Sequence, residues 1–154
     1  MHGLVAILCS GQGGQHPAMF DLVANCPEAE PIFAAAASVL GQDPRRFVHE
    51  AAPAELFSDL SGQILCCTQA LAVWEALGTV RPARTVIAGY SVGELAAWGC
   101  AGALNGPRTL RLAQRRSDHS TPLRLSPLRS GATSALPTTA LGTHAPSVRS
   151  DASA

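Results

Sequence analysis

One stretch of this 154-residue chain combines residue types at a spacing that can do covalent chemistry: Gly89-Tyr90-Ser91-Val92-Gly93. It lies in a longer run, residues 85–101. There an apolar segment leads into Gly89 and an alanine-rich segment follows Glu94. The pattern predicts a strand, a sharp turn with a serine at its apex, and a helix. Glycines on either side let backbones approach closely and leave the hydroxyl open to a substrate. The helix aims its first N–H groups and the positive end of its dipole back at the serine, where the oxyanion of an acyl-transfer intermediate would form. A glycine–serine turn without chemistry uses the same letters; the strand before and the helix after favour the reactive reading.

A second glycine-rich loop, Ser10-Gly11-Gln12-Gly13-Gly14-Gln15-His16, follows an apolar run at residues 4–8 that reads as a buried strand. Its backbone can approach a ligand. The loop lacks the Gly-Lys-Ser/Thr ending of a P-loop and the spacing of a dinucleotide fingerprint. A plain strand-to-helix turn is the competing reading.

These residues need elements to position them. Residues 17–25 and 27–40 read as helices, the second with Pro27 in its first turn and Gly41 at its exit. Residues 44–54 are mixed and polar and read as short turns. Residues 61–77 form the clearest helix. It is apolar on most sides and so belongs at the centre of the fold, with Gln63 and Gln69 as polar exceptions. A buried glutamine is ordinarily a hydrogen-bonded structural group, and Gln63 can serve a site as well. After the elbow and its helix, to about residue 103, Asn105 reads as the N-cap of a helix that carries Arg115 and Arg116.

Composition narrows the class. Eleven basic residues, all arginine, balance eleven acidic ones, which argues against nucleic-acid binding by bulk charge. No apolar run is long enough to span a bilayer, and no secretory signal is apparent. Five cysteines match no zinc spacing and leave an odd count, so buried free thiols in a reducing cytoplasm are expected. No metal site is expected.

With both glycine-rich stretches in hand, the chain resembles the malonyl-CoA:acyl-carrier-protein transacylase family, and most of all the malonyltransferase (epsilon) branch of malonate decarboxylase. The resemblance covers residue 4 to about residue 116. It rests on Ser10 to Gln15, on Gln63, on Gly89 to Glu94, on Trp98-Gly99-Cys100-Ala101-Gly102 and on Arg116. The common family pattern has His before the nucleophile and Pro before the first loop glycine. Here Tyr90 and Ser10 stand in those places, and Tyr90 favours the malonate decarboxylase branch.

The resemblance implies a three-layer α/β acyltransferase domain with a parallel sheet. It implies Ser91 as nucleophile and the N–H groups of Gln12 and Val92 as the oxyanion hole. Arg116 would pair with the free carboxylate of malonyl, a task suited to a planar guanidinium; its competing reading is a solvated helix-end arginine beside Arg115. Gln63, Gly11, Gly13 and Tyr90 would line the substrate. Malonyl would pass from malonyl-CoA through a serine ester to a carrier-protein thiol, with no bound cofactor. An acyl carrier protein would be the partner, with other malonate decarboxylase subunits beside it. The family's histidine base and ferredoxin-like small subdomain find no counterpart here. An incomplete, weakly active chain is therefore expected. The alternatives are a non-catalytic fragment and an α/β serine hydrolase.

After Arg116 the composition changes in mid-helix. Residues 117–154 contain no Ile, Phe, Tyr, Trp, Met, Cys, Glu, Asn, Gln or Lys. Residues 1–116 therefore read as the acyltransferase part and residues 117–154 as a disordered, out-of-frame tail. On this reading another frame of the nucleotide sequence downstream of the Arg116 codon continues as a patterned, histidine-bearing α/β sequence. A downstream sequence with no such frame makes the tail genuine.

Overall fold

A computed structural model describes residues 4–81 and 83–120. Two parallel strands, β1 (Val5–Cys9) and β2 (Thr85–Gly89), pair directly, in register from Val5 opposite Thr85 to Cys9 opposite Gly89. Between them run α1 (Glu30–Leu40), α2 (Pro44–Glu50), α3 (Pro53–Leu56) and α4 (Asp59–Leu77); α5 (Val92–Cys100) and α6 (Gly106–Ser120) follow β2. The architecture is α/β with a parallel sheet, as expected. Parallel strands point the same way, so both glycine-rich loops leave the sheet at one end, where α/β folds bind ligands.

The long helix is the spine. α4 packs against α1, α5 and α6, and Ile64, Leu65, Cys67, Leu71 and Ala72 are buried along it. Ser58 caps it by accepting from the Ser61 N–H at 3.2 Å, so it starts two residues before the expected Ser61. Gln69 donates to the Met19 carbonyl at 2.9 Å and ties the first loop to this spine. Phe20 and Phe33 meet edge to face beside it, with centroids 5.4 Å apart.

Several expectations need correction. The helix expected over residues 17–25 is a single 3-10 turn, Pro17–Phe20, followed by hydrogen-bonded turns. Met19, Phe20 and Val23 are buried but Leu22 is 97% exposed, too little apolar surface at helical spacing to hold a longer helix. The helix expected over residues 27–40 opens as a 3-10 turn and becomes α-helical at Glu30. Residues 44–54, read as turns, form α2 and α3, because Asp43-Pro44 is a helix start: the Asp43 carboxylate accepts from the Arg45 N–H at 2.8 Å. The strand expected at residues 4–8 lies one residue later and is not buried on both faces. Cys9 and Ile87 turn toward the helices, whereas Leu8 and Val86 are 79% and 51% exposed. Of the three expected layers, the described residues supply the sheet and the helices on one of its faces. α6 continues through Ser120, past the expected boundary at 116, with Ser117 buried and donating to the Gln114 carbonyl at 2.6 Å. The rest of the expected tail lies outside the described residues.

Arg45 clamps the region in front of α4. It pairs with Asp43 at 2.6 Å and Glu30 at 2.9 Å, donates to the Ala24 carbonyl at 2.9 Å, and lies over Phe33 at 4.4 Å. Its hydrogen bond holds the Asp43 carboxyl below the usual carboxylate range. A carboxylate with a depressed folded-state pKa stabilises the fold fully above its unfolded value of about 4. That contribution is lost as pH falls through the folded value. Asp43→Ala removes cap and pair together and is expected to lower the unfolding free energy by about 1 kcal/mol at pH 7 in urea titrations. The difference from wild type should shrink below pH 4. A pH-independent difference would remove the ion pair from the account.

Candidate functional site

Ser91 stands at the elbow between β2 and α5 with φ 55° and ψ −122°, the one non-glycine residue at positive φ among those described. Such a backbone costs on the order of 1–3 kcal/mol and persists where the surroundings over-determine it. Two glycines do so here. A Cβ on Gly93 would strike the Cys9 carbonyl and lie 2.6 Å from the Ser10 carbonyl oxygen, and one on Gly89 would strike the Gly93 carbonyl. The start of α5 is thus pressed, backbone to backbone, onto the ends of both strands. Gly93 N–H donates to the Tyr90 carbonyl at 2.9 Å and closes the turn.

The first glycine loop comes to the same place. A Cβ on Gly11 would lie 3.3 Å from the Tyr90 ring and 3.7 Å from the Ser91 Cβ, so the expected oxyanion partner, Gln12, is next in chain to a residue that touches the elbow. Gln15, buried, accepts from the Gly13 N–H at 2.6 Å and pins the loop. Gly13 is at φ 118°, a conformation that glycine adopts readily. Tyr90 is largely exposed beside Gly11.

Arg116 reaches in from α6. Its Nη2 donates to Ser91 Oγ at 3.2 Å and its Nη1 to Gln63 Oε1 at 3.0 Å. Helix phase decides which arginine arrives: Arg116 makes these contacts and its neighbour Arg115 does not. α6 is placed by the Asn105 cap, whose Oδ1 accepts from the Arg108 N–H at 2.9 Å. It is also placed by Gly99 of α5, where a Cβ would crowd Leu71 at 2.7 Å and Thr109 at 2.8 Å. Gln63 is wholly buried and donates to Asp59 at 2.8 Å; the other Asp59 oxygen accepts from the Gln12 side chain at 2.9 Å.

The structure therefore brings Ser91, Val92, Tyr90, Gly11, Gln12, Gln63 and Arg116 into one region, with Gly13 on the same loop. Asp59 was missed by the sequence reading. The signal was its position four residues before Gln63, one helical turn away, hidden because the helix was started at Ser61.

Behind the elbow lie thiols. Cys66 donates to the Gly11 carbonyl at 3.5 Å and Cys67 to the Val92 carbonyl at 3.8 Å. Burial pushes them up to about 11 and about 12, so neither is a thiolate near neutral pH. The Cys100 thiol is raised, mainly by hydrogen-bonding to Cys9, whose own value is lowered by the same bond. All five cysteines are free. Among the described residues no three His, Cys, Asp or Glu side chains are grouped to hold a metal, no histidine hydrogen-bonds Ser91, and no helix is long and apolar enough to cross a membrane.

No protein-family model matches the chain. The malonyl CoA-acyl carrier protein transacylase of Salmonella typhimurium is 34% identical over 115 residues, 72% of this chain and 37% of that protein. Its Escherichia coli counterpart is 33% identical over the same shares. Among solved structures, the transacylase from Coxiella burnetii superposes with a TM-score of 0.67 at 32% identity, over 77% of this chain and 38% of that one. The acyl-carrier-protein S-malonyltransferase from Burkholderia pseudomallei gives 0.68 at 27%, over 75% and 38%. A malonyl-transacylase in complex with a type II polyketide acyl-carrier protein gives 0.67 at 30%, over 75% and 38%. The chain spans just over a third of the length of the curated relatives it matches. Over that length it is similar to malonyl-CoA:acyl-carrier-protein transacylases at modest identity, and its α/β fold superposes on part of their solved structures. The relatives named here do not include a malonate decarboxylase subunit.

The backbone contacts at Gly93 give a direct test of the elbow. Gly93→Ala is expected to cost about 3 kcal/mol, the upper end for overpacking, because only backbone surrounds the new methyl. Gly14→Ala, where an added Cβ meets nothing within 4 Å, should change stability by less than about 0.5 kcal/mol. Urea unfolding of the two variants reads the difference; equal stabilities would mean that the elbow is not close-packed.

Proposed function

We propose that this chain carries the nucleophile and acyl-binding half of a malonyl transfer site, of the kind its longer relatives are named for. The observation that supports it best is the Arg116 guanidinium 3.2 Å from Ser91 Oγ. A guanidinium stays protonated and offers only donors, so it cannot serve as the base for the serine. Its use beside a nucleophile is to hold an anion, and a malonyl thioester carries a carboxylate one methylene from its reacting carbonyl. An ordinary serine hydrolase has no need of it.

The steps follow from the residues. Ser91 Oγ attacks the thioester carbonyl while Arg116 pairs with the distal carboxylate, two-pronged, as Nη1 and Nη2 permit. The carbonyl oxygen becomes an oxyanion facing the first-turn N–H of Val92, a group that an α-helix leaves unpartnered, and the N–H of Gln12. The thioester C–S bond breaks, the serine proton passes by way of solvent water to the departing sulfur, and coenzyme A leaves as its thiol with malonyl held as a serine ester. A carrier-protein thiol then attacks the ester, and Ser91 recovers its proton. Gly11 and Gly13 allow close approach, and exposed Tyr90 stands at the rim.

Tyr90 before the nucleophile also supports the finer reading, malonyl transfer as in malonate decarboxylase, with an acyl carrier protein and other subunits of that complex as partners. The non-catalytic reading has an observation of its own: no histidine hydrogen-bonds Ser91 among the described residues. Both readings meet in one experiment.

Purified chain is mixed with malonyl-CoA or acetyl-CoA, and serine acylation is followed by intact mass. Slow, stoichiometric malonylation that disappears in Ser91→Ala is expected, with little transfer to a carrier thiol, since an unactivated hydroxyl is a weak nucleophile. Arg116→Ala should slow malonylation roughly tenfold more than acetylation, because it leaves a carboxylate unpaired. No acylation favours the non-catalytic reading; equal loss for both acyl groups removes the carboxylate role from Arg116.

A further inference from the structure

The polar groups around Ser91 form one connected chain that runs past the expected site residues to Asp59. We propose that Asp59 is a positioning residue for malonyl recognition: it orients the Gln63 amide, and through it the Arg116 guanidinium, while holding the loop that carries Gln12. The inference rests on the malonyl-transfer reading for its function, though not for its geometry.

The argument is one of donors and acceptors. An ionised carboxylate only accepts and a guanidinium only donates. Gln63 stands between them with one group of each kind. Its Nε2 donates to Asp59 Oδ2 at 2.8 Å and its Oε1 accepts from Arg116 Nη1 at 3.0 Å. Turning the amide over would set its N–H₂ against the guanidinium and its carbonyl against the carboxylate, so Asp59 leaves Gln63 a single orientation. Gln63 is wholly buried, and water cannot relieve the wrong one.

Position and partners make Asp59 suited to this. It occupies the first turn of α4, anchored by the Ser58 cap, and lies one helical turn before Gln63. Its second oxygen accepts from Gln12 Nε2 at 2.9 Å. One carboxylate thereby ties the arginine that would read the acyl group to the loop that would stabilise the oxyanion. An asparagine at position 59 can accept from only one of the two glutamines and must present its own N–H₂ to the other.

The test uses the full 154-residue chain with Asp59→Asn and Asp59→Glu. Nitrogen-15 NMR spectra report the side-chain amides of Gln12 and Gln63 and the Nε–H of Arg116, and titrations give affinities for malonyl-CoA and acetyl-CoA. Asp59→Asn is expected to move the Gln63 and Arg116 signals and to weaken malonyl-CoA binding roughly tenfold, the order expected for mispairing a buried polar group. Acetyl-CoA affinity should stay within about twofold. Asp59→Glu keeps an acceptor-only carboxylate and should retain both the signals and the malonyl preference. An unmoved Arg116 signal, or equal weakening of the two ligands, overturns the proposal. If the wild-type chain binds malonyl-CoA no better than acetyl-CoA, the functional reading fails instead. The positioning role is then judged on the Gln63 and Arg116 signals alone. If Asp59→Asn loses its dispersed spectrum, Asp59→Glu decides: loss of the Gln63–Arg116 signals there also overturns the proposal.

Discussion

The site depends on one contact between backbones. Where α5 begins, Gly93 lies against the Cys9 and Ser10 carbonyls, and Gly89 lies against the Gly93 carbonyl. No side chain fits at either point. This contact forces the chain to reverse within a few residues after β2 and leaves Ser91 at a backbone angle that non-glycine residues seldom adopt. Strain of this kind is not a defect. It lifts the hydroxyl clear of the sheet and sets it against the first turn of a helix, where an anion is favoured.

Everything that reaches Ser91 does so from an element fixed on α4. α5 and α6 both pack on that helix, as does α1. Its two thiols donate to the Gly11 and Val92 carbonyls, from the two loops that meet at the site. These sulfur hydrogen bonds are long and weak individually, one part-buried and one buried, and they link α4 to the two segments that meet at Ser91. Thiols raised by burial are small, soft packing groups. They fill the space under a strained turn without adding charge.

The polar chain from Gln12 through Asp59, Gln63 and Arg116 to Ser91 complements this apolar support. Each link joins a donor to an acceptor, and its middle member is fully buried. Such a network costs little while every group is satisfied and a great deal when one is not. That asymmetry gives the arrangement its specificity. Within this chain the arginine is linked to the carboxylate through a neutral amide, Gln63, whose oxygen accepts from it.

The sequence alone determined the local chemistry. Gly-x-Ser-x-Gly between an apolar run and an alanine-rich segment was legible as a turn with serine at its apex, and the close backbone approaches at Gly89 and Gly93 are the reason those two positions carry no side chain. Asn105 as a cap was legible because it depends on its immediate neighbours, and Gln63 because it is a polar residue in an otherwise apolar helix. Tertiary structure decided the rest. Residues 44–54 start as helix through the local Asp43 cap, but they are held in place by the Arg45 clamp, which reaches back to Ala24, Glu30 and Phe33. Sequence spacing could not tell Arg115 from Arg116, because the choice is made by the phase of α6 against α4 and α5. Asp59 met its partner Gln12, 47 residues away in sequence, only when the first glycine loop folded onto the first turn of α4. A carboxylate's neighbours, unlike a glycine's conformation, are not written in the residues beside it.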